Sequence, residues 1–295
     1  FLYSALSRYS PADVMEYFGN LGVPLKTERG RRVFPVSDRA GDIVAALEKQ
    51  LKKSHVEVVR GNCTKIIVED GQCCGAVVSG REVRAGAVVL ATGGASYPAT
   101  GSDGSGYSLA RQAGHTIVPP EPSLIPMETE ERWVAQAAGL DLRNVSMKLN
   151  RAGKTIYEDF GELLFTAYGV GGPTILSASA HIPEMVQGEY SVEIDLKPAL
   201  SDKKLDERII RDFTERRGMR FADSLRGLLP AQLAPVIAEL SGIPGELHVD
   251  DVTREQRQEL GRLMKHLTLH IKRFRPIEEA IITRGGVSVK EIRPG

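Results

Sequence analysis

Apolar residues repeat at helical spacing in the first fifty positions of the chain. Ser10 and Pro11 form a typical helix start, and a second helix is predicted to begin near Ser37 and to carry Leu47 on its apolar face. The segment "HVEVV", residues 55–59, then predicts the beginning of a strand. A helix followed by a strand is half of an α/β unit.

Residues 63–89 change to the spacing of short strands. Turn residues at 70–71 and at 80 divide them into a three-stranded meander. The following run, residues 87–94, is apolar without alternation, which is typical of a strand covered on both faces of a parallel sheet. The first part of the chain is therefore predicted to be an α/β domain.

The pattern changes twice more along the chain. Alternating strands from residue 123 indicate an antiparallel barrel or sandwich, whereas helical spacing returns between 203 and 264. Thr253 and Gln256 have the spacing of a capping box at the start of the last of these helices. Residues 266–274 alternate again as a strand. The simplest path is a nested one, with helices inserted in a barrel and the barrel inserted in an α/β domain. The predicted domains are 1–122 with 275–295 (α/β), 123–200 with 265–274 (barrel), and 201–264 (helical).

Charge and composition exclude several kinds of partner. The 295 residues contain 38 Lys and Arg and 38 Asp and Glu, so no overall field attracts nucleic acid or an anionic membrane. No apolar run is long enough to span a bilayer. We therefore expect neither a nucleic-acid nor a membrane partner.

The three cysteines are Cys63, Cys73 and Cys74, an odd number without the spacing of a zinc site. They favour a reducing, cytoplasmic location over a disulfide framework. His266 and His270 are four residues apart, but they fall in an alternating strand and are expected to be surface residues. No metal site is predicted.

Glycine-rich stretches are the candidate ligand-binding segments of the chain. Thr92-Gly93-Gly94 ends a predicted strand, where bare backbone can approach a flat ring or a phosphate. The stretches 101–106, 164–176 and 283–287 offer similar backbone. Each has a plainer interpretation: a tight turn, an Asp103 helix cap, or a turn that closes the barrel. No GxGxxG or GxxxxGK[ST] motif occurs, and no catalytic base can be identified.

Four segments together carry a family resemblance: "GRRVFPVSDRAGDIVAAL", "LATGGASYPATGSDGSGYSLARQAGHTI", "GELLFTAYGVGGPTIL" and "AIITRGGVSVKEI". In this order they resemble the bacterial FAD-dependent flavoproteins known as NAD(FAD)-utilising dehydrogenases, with aminoacetone oxidase and bile-acid dehydro-reductase type members. The resemblance implies a partial glutathione-reductase-type FAD domain with an inserted antiparallel β-barrel and a nested helical subdomain. It covers the central portion of such proteins, without the N-terminal dinucleotide-binding turn and the C-terminal flavin segment.

The resemblance also implies binding residues for FAD. The backbone at Cys63 corresponds to the place that meets adenine, and two glycine turns correspond to places near the flavin. Because the main anion-binding turn is absent, we expect this chain to hold FAD weakly. The flavin positions are Thr92, Gly93, Gly94, Thr283, Gly285 and Gly286; those expected near the substrate are Arg32, Ser37, Tyr97, Ser102, Thr166 and Tyr168.

The implied function is that of an FAD-dependent oxidoreductase, which transfers hydride between a small organic substrate and flavin. The alternative is a non-catalytic module whose barrel and helices dock a partner. A missing N-terminal strand would leave a sheet edge bare, so a homo-oligomer formed through exposed edges is a further expectation.

Overall fold

The computed structural model describes residues 2–293, and in that part of the chain it contains nine α-helices and thirteen β-strands. The helices are α1 (Tyr3–Arg8), α2 (Pro11–Asn20), α3 (Ala40–Lys53), α4 (Ser105–Gln112), α5 (Pro173–Ser179), α6 (Asp202–Glu215), α7 (Phe221–Ser224), α8 (Ala234–Leu240) and α9 (Arg254–Lys265). The strands are β1 (Leu25–Thr27), β2 (Val33–Pro35), β3 (Cys63–Glu69), β4 (Gln72–Val78), β5 (Arg81–Arg84), β6 (Ile117–Ser123), β7 (Met127–Thr129), β8 (Asp141–Arg151), β9 (Lys154–Phe165), β10 (Gly169–Gly171), β11 (Tyr190–Asp195), β12 (Leu267–Phe274) and β13 (Ile282–Val287).

The chain divides into two compact units. The first unit contains the described residues up to Ala91, together with Gly106–Val118 and those from Gly286 onward. The second unit, called the barrel unit below, contains Thr92–Ser105 and Pro119–Gly285. None of the helices in residues 2–293 combines the length and the apolar character needed to cross a lipid bilayer.

Six strands of the barrel unit close into an antiparallel barrel in the order β10-β7-β12-β11-β8-β9. Val192 of β11 lies opposite Leu149 of β8 on one side and Leu269 of β12 on the other. All three are buried, while their neighbours along each strand are less buried. This alternation confirms the predicted barrel and places its core inside.

Glycine explains two features of the barrel that the sequence pattern does not predict. β9 is one strand through Gly161, where a Cβ would lie 3.1 Å from the Thr174 methyl of α5. β10 pairs with β7 and β9, and a Cβ at Gly169 would lie 2.2 Å from the Met127 carbonyl oxygen. The stretch 164–176 therefore closes the barrel and then enters helix α5 at Pro173.

Helices α6 to α9 follow β11 and precede β12 in the chain. Thr253 and Gln256 form the predicted capping box at the start of α9. The apolar faces of α6 and α9 pack together, and their buried side chains join those of the barrel in one continuous core. Among these side chains are Leu205, Ile209, Phe213, Leu260 and Met264.

The first unit contains the predicted meander β3-β4-β5, the hairpin β1-β2, helix α3 and helix α4. Two predicted strands are wrong: residues 55–59 and 87–94 belong to no sheet in the described part of the chain. Val58 and Val89 are 72% and 87% exposed. A strand needs hydrogen-bonding neighbours, and the described residues provide none beside these segments, however apolar they are.

Candidate functional site

The loop that follows residues 87–91 folds tightly on itself, and Gly93 makes this possible. Gly93 adopts φ +76°, and a Cβ there would lie 2.5 Å from Ser102 Oγ. The Gly104 N–H donates to the Gly94 carbonyl over 3.0 Å. Thr92 and Gly93 remain exposed, so this backbone is open to a ligand.

Thr283 joins this loop to the second glycine motif. The Ala95 N–H donates to Thr283 Oγ1 over 2.8 Å, and the Ser96 and Thr283 hydroxyls share a second hydrogen bond of 2.8 Å. The Tyr97 N–H donates to the Glu278 carbonyl over 3.2 Å. Thr283 and the Tyr97 backbone are thus brought together within the barrel unit, whereas Ser102 lies against Gly93 in the same loop.

Gly285 and Gly286 lie inside β13, which differs from the prediction that they follow the end of a strand. Their φ angles are +87° and +94°, and a Cβ at Gly286 would lie 3.0 Å from Tyr107 Cε1. β13 pairs with β6 in a two-stranded sheet. A side chain at either glycine position would strain the backbone.

Arg284, between Thr283 and these glycines, was not predicted as a site residue. Its guanidinium pairs with the Glu121 carboxylate and donates to the carbonyl oxygens of Ile182 and Pro183 over 2.8 and 2.7 Å. These partners hold Arg284 in the barrel unit and fix the start of β13. No local signal identifies them, since they lie more than a hundred residues away in the sequence.

Asp103 acts as the plain helix cap at the start of α4. Its carboxylate accepts a hydrogen bond from the Ser105 N–H over 2.9 Å. Hydrogen bonding from Ser105 holds the pKa of Asp103 below its ordinary value. This carboxylate already interacts with the helix end that could otherwise have received an anion.

Cys63, Arg32 and Ser37 lie in the first unit. Cys63 begins β3 and is half-buried, next to the mutual hydrogen bonds of Asn62 and Ser79. Arg32 lies in the loop of the β1-β2 hairpin. The Ser37 hydroxyl donates to the Asp42 carboxylate over 2.6 Å and accepts from the Arg39 N–H over 3.3 Å, which stabilises the start of α3.

Thr166 and Tyr168 lie at the mouth of the barrel. Thr166 and Gly169 exchange hydrogen bonds across a tight turn, and Tyr168 presents its ring to the Arg275 guanidinium, whose carbon lies 4.0 Å from the ring centroid. Tyr168 also lines a cavity of about 550 Å³. Sequence reasoning selected the tyrosine but not the cavity, whose walls come from distant segments.

The two histidines considered as a metal pair have separate partners. His270 Nδ1 lies 2.7 Å from a Glu131 carboxylate oxygen, and His266 Nδ1 lies 3.2 Å from Glu193. In the described part of the chain, no group of three or more His, Cys, Asp or Glu residues is arranged to hold a metal ion.

Comparison with known proteins defines the class of the chain. It belongs to the HI0933-like protein Rossmann domain family, whose model matches residues 1–295. The chain is similar to the 3-dehydro-bile acid Δ(4,6)-reductase of Clostridium scindens, with 29% identity over 297 residues, covering 100% of this chain and 72% of the relative.

Two further relatives have a different named substrate. The ribosomal RNA dihydrouridine synthase of Haemophilus influenzae is 26% identical over 298 residues, covering 99% of this chain and 71% of the relative. The enzyme of the same name from Escherichia coli is 24% identical over 292 residues, covering 99% and 70%.

These relatives contradict the expectation that nucleic acid is excluded as a partner, which was wrong. That expectation rested on the balanced total of charges. RNA phosphates are bound by local groups of Lys and Arg, and a sum over the whole chain does not report on local groups.

Proposed function

We propose that the chain is part of an FAD-dependent oxidoreductase that reduces a carbon–carbon double bond conjugated to a carbonyl group. The observation that carries the proposal is the pair of hydrogen bonds that join Thr283 to Ala95 and Ser96. They link two glycine motifs of a chain that the family model matches throughout. The wider architecture that we propose is a glutathione-reductase-type FAD domain with an inserted barrel and a nested helical subdomain, within the boundaries predicted above.

The names of the relatives support the type of reaction. A Δ(4,6)-reductase of a 3-dehydro bile acid and a synthase of dihydrouridine both saturate a carbon–carbon double bond. In each substrate the double bond is conjugated to a carbonyl group. The substrates otherwise differ greatly in size, so the proposal names the shared chemistry and not one molecule.

The glycine positions fit a flat dinucleotide cofactor. Gly93 and Gly285 have positive φ and are exposed, whereas Gly286, which also has positive φ, is buried beside the Tyr107 ring. Such backbone allows a ring to approach the main chain closely. The residues that would hold FAD are Cys63 through its backbone, Thr92, Gly93, Gly94, Thr283, Gly285 and Gly286.

FAD supplies the group that gives or accepts hydride, and the protein orients the substrate beside it. The Tyr97 and Ser102 hydroxyls lie on the loop that Thr283 anchors, where they are suited to hydrogen-bond a substrate carbonyl. Such hydrogen bonds would draw electron density toward the oxygen and make the conjugated carbon more electrophilic. Arg32, Ser37, Thr166 and Tyr168 are proposed to contact more distant parts of the substrate.

A titration with FAD tests the proposal. We expect saturable binding, measured by the change in flavin absorbance, and loss of that binding in Gly285→Val. Gly153→Val is the matched control, because Gly153 has φ +77° in the β8-β9 turn with open space around it. Absence of saturable binding by a chain whose circular dichroism shows it to be folded would refute the proposal.

A further inference from the structure

The cavity at the barrel mouth is built from segments that are far apart in the chain. The end of β7, the following turn, the 167–168 turn and β12 surround its volume of about 550 Å³. This size is within the range of small-molecule sites in proteins. Its lining residues are Glu128, Thr129, Glu130, Glu131, Arg132, Val134, Ala167, Tyr168 and Lys272.

Thr129 is a polar residue of this wall whose hydroxyl is buried without a partner. The residue is 8% exposed, and its Oγ1 forms no hydrogen bond in the described structure. Its backbone is fixed, since the Thr129 N–H donates to the Tyr168 carbonyl over 3.1 Å. A buried hydroxyl is normally paired, so a rotation about Cα–Cβ that brings this one to a ligand in the cavity would remove an unfavourable arrangement.

In the described part of the chain, two cations of the cavity wall have no ion-pair partner. Glu128 is held by Arg273 and Arg275 at 2.7 and 2.8 Å, and the Glu131 carboxylate accepts hydrogen bonds from the His270 backbone N–H at 2.9 and 3.1 Å. The His270 ring also contacts Glu131. Of the lining residues that the structure describes, Arg132, Lys272 and Glu130 have no ion-pair partner, and Glu131 keeps its negative charge because a backbone N–H does not neutralise it. Arg132 and Lys272 are therefore the two cations of the wall that can pair with an anionic ligand.

One segment connects this cavity to the Thr283 site. Arg275 pairs with Glu128 and with Glu279 at 2.8 and 2.7 Å, and it lies over the Tyr168 ring. Four residues before β13 begins at Ile282, the carbonyl of Glu278 accepts a hydrogen bond from the Tyr97 N–H. The wall of the cavity and the anchor of the glycine loop are therefore parts of one hydrogen-bonded segment within the barrel unit.

We propose that the barrel-mouth cavity binds the anionic end of the substrate, a carboxylate or a phosphate ester, through Arg132 and Lys272. The Thr129 hydroxyl bonds a neutral oxygen of the same molecule, and the Tyr168 ring supplies a flat wall. The assignment of the occupant as substrate rests on the proposed function, whereas the existence of the site does not. The inferred substrate class is a conjugated carbonyl compound that carries an oxyanion group.

The single tryptophan of the chain provides a direct readout. Trp133 lies between the lining residues Arg132 and Val134, and its ring centroid is 5.8 Å from that of Phe165. Binding is measured by tryptophan fluorescence and by calorimetry, with cholate as the carboxylate probe and uridine 5′-monophosphate as the phosphate probe. Neither measurement needs bound FAD.

We expect Arg132→Gln and Lys272→Gln each to weaken binding about tenfold, because each removes one charge-assisted contact to the anion. Thr129→Val is expected to weaken binding as well, while the melting temperature is unchanged or higher because an unpaired hydroxyl is removed. Arg254→Gln is the matched control: it removes an exposed arginine at the start of α9, outside the cavity, and should leave binding unchanged.

The outcomes separate the two proposals. Binding of cholate alone assigns the site to carboxylates, and binding of the nucleotide alone assigns it to phosphate esters. If neither probe binds, or if binding is insensitive to both charge variants, the cavity assignment is wrong even when FAD binds. If a probe binds as expected and FAD does not, the proposed function fails and the site remains.

Discussion

At the residue scale, Gly93 determines the path of the loop 92–105 in two separate ways. Its φ of +76° is strained for any L-residue, and a Cβ would meet Ser102 Oγ at 2.5 Å. Gly101, in the same loop, has φ +99° and open space around its Cβ position. Comparing substitutions at Gly93 and Gly101 therefore separates the energetic cost of backbone strain from that of a side-chain collision.

We predict that Gly101→Ala lowers the free energy of unfolding by about 1–2 kcal/mol, the usual cost of a left-handed conformation. Gly93→Ala should cost more in the natural sequence, because its methyl group also meets Ser102. In a Ser102→Ala background the two costs should become similar. Urea denaturation of the five variants measures this, and equal costs of the two glycine substitutions beside Ser102 would show that the collision is absent.

Glu128 is the residue whose ionisation affects the barrel mouth most directly. It is a buried carboxylate, and hydrogen bonding from Arg273 lowers its pKa, with a further contribution from Arg275, although burial opposes the change. A lowered pKa in the folded state stabilises the fold above the ordinary glutamate value. That contribution is lost as the pH falls through the folded value.

We predict that Glu128→Gln lowers the free energy of unfolding by about 1–3 kcal/mol at neutral pH, since a charge-assisted hydrogen bond is lost. The difference from the natural protein should shrink as the pH falls below about 4, where the natural carboxyl also becomes neutral. Urea denaturation at a series of pH values measures this difference in the free energy of unfolding. Glu130→Gln, an exposed neighbour without an ion pair, should show no such difference; a constant difference down to low pH would contradict the assignment.

At the element scale, local chemistry predicted the helices better than the strands. Both capping boxes, at Ser10 and Thr253, start helices where the sequence indicates. The barrel strands β8, β11 and β12 follow their alternating patterns. Helix starts and alternation are local properties, so the sequence alone contains them.

Strand pairing was predictable only where neighbours are present. Residues 55–59 and 87–94 are predicted strands, and the second has the composition of a buried one, but no described strand lies beside either segment. Gly161 and Gly169 are typical of breaks or turns in the sequence, yet each lies in a strand. The Thr174 methyl approaches Gly161 closely, and the Met127 carbonyl oxygen leaves no room for a side chain at Gly169. In these cases the neighbouring segment, and not the residue type, determines whether a residue lies in a strand.

The candidate site was predictable to a similar extent. The glycine motifs were recognised from the sequence, and the resemblance selected Thr283, whose contacts with Ala95 and Ser96 join them. The partners of Arg284 and the cavity around Thr129 were not predicted, because they combine segments separated by more than a hundred residues. Such combinations depend on the closed barrel and not on any local pattern.

At the scale of the whole molecule, the two units differ in the size of their apolar cores. The main core cluster lies entirely within the barrel unit, between Met127 and Ile271. In the described residues of the first unit, the buried apolar side chains are Val23, Ala46, Ile67, Leu109 and Ala110. Burial of apolar surface is the main source of stability, so the first unit should open at a lower free energy.

Hydrogen exchange followed by mass spectrometry tests this difference in core size. We expect amides of β8, β9 and β11 to exchange only through global unfolding, which costs on the order of 5–15 kcal/mol for a domain. Amides of α3 and the β3-β4-β5 meander should exchange much faster, through local opening of the first unit. If FAD binds as proposed, adding it should slow exchange in the first unit, where Cys63 and Gly286 lie, because a ligand stabilises the state that it binds. Uniform protection of both units without FAD would show that they unfold as one, and that the small core of the first unit does not limit its stability.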